Sequence, residues 1–320
     1  MRYVAAWLIL SLCVGSAFGQ PFFVEQSDPS SGAVSVGQAD TIAFAFNEEV
    51  SVSTDWNTAF VYEPGDELRF NQVSLCINFL GDCGGGDDIV PRFVRFRVEH
   101  QPNTDYTWLV YAVPSAEGNS MTEPYVLRYT TAPDIGQGSI RGAVAAPKSA
   151  ARWTPEVRAS LRELAEGLKR NGLGRPVFDQ SDSEPAQLGD TPSASDQPQA
   201  HFGTLGAKAA TNNGPFTQIL LIDAFSIRET NWNVRAADVL IGSSGSYSLD
   251  YVRPGSYVPI AVRYTDGTNT EIDALGFHDP DGDGTPNTVE VDGDQRAGIS
   301  LELFDFPLTT ARNNQNLAVA

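Results

Sequence analysis

The chain has 320 residues, with 21 Lys and Arg against 40 Asp and Glu, a formal charge of −19. A chain so acidic repels phosphate backbones and anionic lipid, which sets nucleic acid and acidic membrane surfaces aside as partners and makes cations the natural counterpart. The length leaves room for two domains of ordinary size.

Residues 1–19 read as an address. Arg2 precedes the apolar run Val4 to Val14, and small residues follow, ending Ala17-Phe18-Gly19. That is the layout of a secretory signal peptide, cleaved to leave Gln20 as the new terminus. The run is too short to span a bilayer and no later stretch is long and apolar enough, so no membrane insertion is expected after cleavage. The expected location is secreted: extracellular, at the cell surface or in the periplasm. Cleavage removes Arg2 and no acid, moving the formal charge from −19 to −20, and most of the carboxylates then read as a solvated surface.

Residues 20–133 alternate short β-type runs with turn clusters. In TIAFAF, Ile42, Phe44 and Phe46 share one face. In RFVRFRVEH, Val94, Phe96 and Val98 do so while Arg95 and Arg97 face out. DYTWLVYAV and YVLRYTT follow as further strands, and half-buried antiparallel strands joined by turns make a sandwich. Cys76 and Cys83 flank INFLGD. Cleavage of the signal removes Cys13 and leaves these two. In an oxidising compartment a local disulfide is the expected role, since neither a further Cys nor a nearby His completes a zinc set. Gly84-Gly85-Gly86 reads as a flexible turn, because no helix start or Lys-Ser/Thr follows to make a phosphate cradle.

The order of SDPSSGAVSV (27–36), TIAFAFNEEV (41–50), QPNTDYTWLV (101–110), AEGNSM (116–121) and the closing YVLRYTT resembles the bacterial Ig-like domains of S-layer and surface proteins. The resemblance implies a spacer or presenting module without an active site. The departure from it is SLCINFLGDCGGGDD, an elaborated loop.

A second domain is expected over 138–306, opening with SIRGAV at 139–144 and interrupted by an insertion at 146–215. In the insertion, Thr154 stands as N-cap, Pro155 at the first helical position and Gly172 past a basic end. Val157, Leu161, Leu164 and Leu168 form one stripe, which predicts an amphipathic helix over 155–170, about four turns long. Its polar face mixes Glu with Arg, which suits packing on the neighbouring sandwich better than lying on a membrane. Residues 175–214 hold almost no large apolar side chains, too few to offset their ordering entropy, and are expected to be a disordered loop. Residues 307–320 read as a tail.

Strands resume at TQILLIDAF. Farther on, Gly245, Tyr247, Leu249 and Val252 lead into RPGSY, whose Pro254-Gly255 turn returns the chain through Val258, Ile260 and Val262. This stretch resembles the G-x-Y/F-x-L-x-x-V-x-P-G-x-Y-x-V hairpin of prealbumin-like modules, the carboxypeptidase-regulatory and collagen-adhesin B families. SIRGAV matches their opening strand and GISLELF (298–304) their last. The resemblance implies a sandwich that stabilises or displays other parts of an extracellular protein. The expected fold class is therefore all-β: two Ig-like or prealbumin-like antiparallel β-sandwiches, with one helix and a disordered loop inserted in the second.

Between the last strands lies FHDPDGDGTPNTVEV, residues 277–291. Asp279, Asp281, Asp283, Gly284 and Glu290 satisfy D-x-[DN]-x-[DN]-G-x5-E at every specified position. Calcium takes about six to eight oxygens around one point, and acids at alternate positions can turn inward if a Gly permits the sharp bend. On this reading Asp279, Asp281, Asp283 and Glu290 are side-chain ligands, Thr285 offers its backbone carbonyl, Asn287 holds a bridging water, and Ca2+ is the expected cofactor. Pro286 lacks the N–H that couples two EF-hand loops, and neither flank reads as a helix. The loop instead resembles the unpaired ones of thrombospondin type 3 repeats or the B repeats of bacterial adhesins. Residues 266–294 hold Asp266, Glu271, Asp273, Asp279, Asp281, Asp283, Glu290, Asp292 and Asp294 without a Lys or Arg, a self-repelling crowd in the absence of a cation. The alternative is an acidic turn splayed into water.

A catalytic constellation does not emerge. His100, His201 and His278 stand apart in sequence, and Ser244 in GSSGS lacks the final Gly of G-x-S-x-G. A carboxylate pair for glycoside hydrolysis stays open, since separations are invisible in sequence. The expectation is a non-catalytic structural or adhesive protein whose second domain is rigidified by calcium. The alternatives are an adhesin for a glycan or an extracellular protein, and an accessory protein of a secreted hydrolase system. Trp56, Trp108, Trp153 and Trp232 could line a carbohydrate platform. Alternation with Tyr106 and Val110 places Trp108 in the core, which leaves Trp232, in the polar RETNWNVR, as the candidate exposed aromatic.

Overall fold

The computed structural model describes residues 21–38, 41–51, 59–63, 66–67, 72–76, 92–111, 113–148, 153–171, 215–229, 231–265 and 272–305. The expectations for the signal peptide, the Cys76–Cys83 disulfide, the disordered 175–214, the tail 307–320, Trp56 and His201 lie outside the described residues.

The first half is built from β1 (Val24–Asp28), β2 (Thr41–Phe46), β3 (Ala59–Glu63), β4 (Asp66–Glu67), β5 (Gln72–Cys76), β6 (Phe93–Arg97), β7 (Asp105–Val110) and β8 (Tyr125–Thr130). Two antiparallel sheets result, ordered β1-β2-β6-β5 and β4-β3-β7-β8. Period-2 alternation turns Ile42, Phe44, Phe46, Val94 and Phe96 inward, while Arg97 stays exposed. Phe44 meets Phe96 and Trp108 at 5.8 Å each between ring centroids, and Phe96 meets Trp108 at 5.0 Å. This tilted aromatic cluster is the centre of the first core.

The second half comprises β9 (Gly138–Lys148), α1 (Pro155–Asn171), β10 (Phe216–Asp223), β11 (Val234–Ile241), β12 (Gly245–Val252), β13 (Gly255–Tyr264), β14 (Ile272–Phe277), β15 (Val289–Val291) and β16 (Gln295–Asp305). Its strands form one sheet ordered β11-β10-β13-β14-β16-β9-β12, with β15 added to β13. The two edge strands, β11 and β12, lie alongside each other, so the sheet nearly closes on itself. One expectation differs in detail. SIRGAV and GISLELF pair, but in parallel, with Gly142 opposite Ile299 and Val144 opposite Leu301. Alternation is blind to strand direction, and the long chain between the two strands supplies the crossover a parallel pair requires. Gly142 permits the close approach, since a Cβ there would lie 1.8 Å from the Ile299 carbonyl oxygen.

Both faces of the second sheet are buried. Ile140, Val144, Ile219, Leu221, Leu249, Leu301 and Leu303 fill the inside. Leu220, Ile222, Val258, Ile260 and Val262 point outward into a continuous cluster that includes the first sandwich and α1. β10 is consequently buried along almost its whole length, without the alternation of a half-exposed strand. The helix forms as its sequence dictates, one residue longer than expected. Thr154 Oγ1 accepts the Val157 N–H at 3.2 Å as an N-cap, and Val157, Leu161, Leu164 and Leu168 are all buried.

Candidate metal site

Residues 278–288 connect β14 to β15 as an excursion part-way along β13, between Phe277, which faces Ile260, and Val289, which faces Tyr257. Buried Phe277 anchors one end of this loop, and Val289 and Val291 anchor the other. The Asn287 N–H donates to the His278 carbonyl at 2.8 Å and closes its neck, while His278 Nδ1 donates to the Ser300 carbonyl at 2.9 Å. His278 is thereby a structural tie.

Within the loop, Asp279 caps the turn by accepting the N–H groups of Asp283 at 3.1 Å and Gly284 at 3.0 Å. Gly282 and Gly284 take φ of +72° and +83°, a left-handed region that L side chains seldom adopt. Asp283 Oδ1 accepts from the Thr285 N–H at 2.8 Å and its hydroxyl at 2.6 Å, and Asp281 Oδ2 accepts from Asn287 Nδ2 at 3.3 Å. The outcome is convergence: one carboxylate oxygen from each of Asp279, Asp281 and Asp283 lies within 4.8 Å of the others. Beside them Asn287 Oδ1 is buried and meets no donor among the described residues. Burial pushes the Asp279 carboxyl above its ordinary range, partly offset by the Gly284 N–H. The hydrogen bond from Asn287 holds Asp281 below its own.

The convergence does not extend to Glu290, which is exposed on β15 opposite Ser256 and whose carbonyl accepts from Arg296 Nε at 2.8 Å. Two other acids of the 266–294 crowd have cations after all, supplied from outside that window. Arg263 holds Asp273 at 2.6 and 2.9 Å, and Arg296 reaches Asp292 at 2.8 Å. Among the described residues no Lys or Arg pairs with Asp279, Asp281 or Asp283.

Sequence reasoning misses the brace behind the loop. Ser160 of α1 donates its hydroxyl to the Gly284 carbonyl at 2.8 Å in a buried contact, and a Cβ on Gly284 would lie 2.9 Å from the Val157 nitrogen. The first turns of the inserted helix thus sit directly against the acidic loop. The only signal was Gly284 itself, read as a turn requirement alone.

The other candidates separate cleanly. Trp232 is not an exposed aromatic: it is 1% exposed, with its indole N–H on the Ile227 carbonyl at 3.2 Å and its ring against Gly167 of α1. The polar residues around it form the β10–β11 connection, and a helix from elsewhere in the chain covers the ring. Trp108 is buried as expected, and Trp153 is half-buried. Phe225, which the sequence did not single out, is 82% exposed in that same connection. Ser244 lies in the bend joining β11 to β12, a strand–turn–strand setting, and His100 is buried with its Nε2 2.7 Å from the Tyr129 hydroxyl. A cleft of about 680 Å3 opens near the β11–β12 seam between Glu123, Arg141, Asp238, Ser246, Tyr247 and Ser248. Its buried Asp238 accepts the N–H groups of Val239 at 2.7 Å and Ser248 at 2.9 Å, yet desolvation still pushes its carboxyl up to about 6. Among the described residues no helix is long and apolar enough to cross a membrane.

No protein-family model matches the chain, and no curated protein matches it. Among solved structures, the native conformation of Escherichia coli alpha-2-macroglobulin seen by electron microscopy aligns with 91% of this chain at 9% identity and a TM-score of 0.27, and this chain covers 14% of that one. A crystal structure of the same protein spanning domains MG0-NIE-MG1 aligns with 91% of this chain and 98% of its own, at the same identity and TM-score. An overlap that low carries no argument about what this chain does.

Proposed function

We propose that this chain is an exported, non-catalytic β-sandwich protein, a structural or adhesive module of the cell exterior whose second sandwich is rigidified by calcium. The observation that carries the reading is the convergence of Asp279, Asp281 and Asp283 within 4.8 Å, with no cationic side chain to neutralise them among the described residues. The buried Asn287 Oδ1, which meets no donor, adds an oxygen that a cation would satisfy. This donor set fits calcium, a hard cation that takes about six to eight oxygens in flexible geometry, better than magnesium, which insists on a stricter octahedron and keeps its water. Asp279, Asp281 and Asp283 would hold the ion, Thr285 and Asn287 would complete it, and Glu290 is the remaining expected ligand.

Calcium there would cancel the mutual repulsion of three carboxylates in a loop that joins β14 to β15 and packs on α1. With external calcium about a hundredfold above the dissociation constant, it would add roughly 2.7 kcal/mol to stability. The burial of Trp232 takes away the aromatic on which a glycan platform leaned, which favours the structural reading over the adhesive one. The test is calorimetric titration of calcium into EDTA-treated protein. Saturable binding is expected, lost in the double variant Asp281→Asn, Asp283→Asn. A wild type that takes up no calcium would end the proposal.

A further inference from the structure

The second sheet has an open seam. Among the described residues β11 pairs only with β10 and β12 only with β9, although the two strands are consecutive and lie alongside each other. No ladder joins their facing edges, so the backbone groups there need other partners. Two side chains supply partners to three of them. Asp238 of β11 crosses to the Ser248 N–H of β12 at 2.9 Å. The second comes from the other sandwich. Arg128 of β8, 3% exposed, donates Nη1 to the Asp250 carbonyl on β12 and Nη2 to the Arg235 carbonyl on β11 at 2.8 Å. Its Nε donates to Thr107 Oγ1 on β7 at 3.0 Å, which fixes the stem of the fork to the first sandwich. A planar guanidinium with several divergent donors can bridge two strands in this way, and no other side chain offers that fork.

Contacts around the seam tie the same two bodies. Arg253, in the turn after β12, holds Asp105 of β7 at 2.7 and 3.0 Å and the Asp134 carbonyl at 2.7 Å. Tyr62 donates to Gln218 Oε1 at 2.9 Å, the rings of Tyr111 and Phe216 stand 4.5 Å apart, and Gly32 leaves room for the Tyr251 ring. Burial lowers the Arg128 guanidinium to about 10 against the support of Asp105 and Asp250, so it remains charged at neutral pH.

We propose that Arg128 closes the open seam of the second sandwich from the first, so that the two sandwiches keep and lose their structure together as one rigid body. The chain then presents its loops at a fixed mutual angle, unlike a string of independent spacer domains, in which relative motion is the default. The proposal does not depend on calcium.

Hydrogen exchange on the full chain tests it. In the wild type, amides of β8, β11 and β12 should lose protection together as denaturant is raised. Arg128→Met should speed exchange in β11 and β12 by about tenfold or more while β13 and β14 keep their protection, and Arg128→Lys, which retains charge without the fork, should behave alike. Exchange in β11 and β12 within about twofold of wild type in Arg128→Met would overturn the proposal, as would full protection in Arg128→Lys. If Arg128→Met does not fold, the wild type decides: β8 opening at a denaturant concentration that leaves β11 and β12 closed would also overturn it.

Discussion

Gly284 and Asp238 show how single residues set the terms of this molecule. Gly284 combines a left-handed φ of +83° with a backbone nitrogen of α1 2.9 Å from where a Cβ would sit, whereas Gly282, at +72°, faces open space. Gly282→Ala should therefore cost about 1 kcal/mol of backbone strain, and Gly284→Ala about 2–3 kcal/mol because strain and clash combine, as read from urea midpoints. Asp238 makes stability depend on pH in a defined direction. Its carboxyl ionises at about 6 when folded, against an ordinary 3.8, so between these values the folded state keeps a proton that the unfolded state has lost. This group's contribution falls as pH rises from about 4 to about 6, by up to about 3 kcal/mol, and is level above. The wild type minus Asp238→Ser difference in unfolding free energy should follow that slope, and a flat difference would refute the assignment. The D-x-D-x-D-G spacing was legible because its three carboxylates are local in sequence. Asp238 and Ser160 were not, because each is defined by a partner on another element.

The inserted helix shows the same division one level up. Its start, cap and stripe could all be read from residues 154–168, since each is set by neighbours within a turn or two. What the stripe covers could not. Trp232 sits in a polar segment and so read as exposed, but α1 lies over it, with Gly167 the contact point. Trp232→Ala should cost about 3–5 kcal/mol as a core truncation, and Gly167→Ala, whose Cβ would fall 1.8 Å from the indole, should undock α1. Limited proteolysis within 155–171 would report that undocking; unchanged resistance would mean that the helix tolerates the shift. The strands were likewise legible as strands from alternation, while the parallel pairing of β9 with β16 was not, because alternation fixes a face and leaves direction free.

At the scale of the whole molecule, the all-β sandwich architecture followed from turn-punctuated alternating runs, and the joint between its halves did not. The signal was present in β7 and β10, which are buried without alternation because each has a core on one face and a neighbouring body on the other. On the proposed reading, an acidic chain built this way is rigid where its halves meet and carries one concentrated negative site in the β14–β15 connection against α1, where a divalent cation would bind. The most direct measurement is thermal unfolding of the chain from Gln20 to Ala320 in EDTA and in millimolar calcium, beside the double variant Asp281→Asn, Asp283→Asn. Calcium should raise the wild-type midpoint by about 4–5 °C and leave the variant unmoved. A wild-type midpoint that is the same in EDTA and in calcium would contradict a structural metal at Asp279, Asp281 and Asp283.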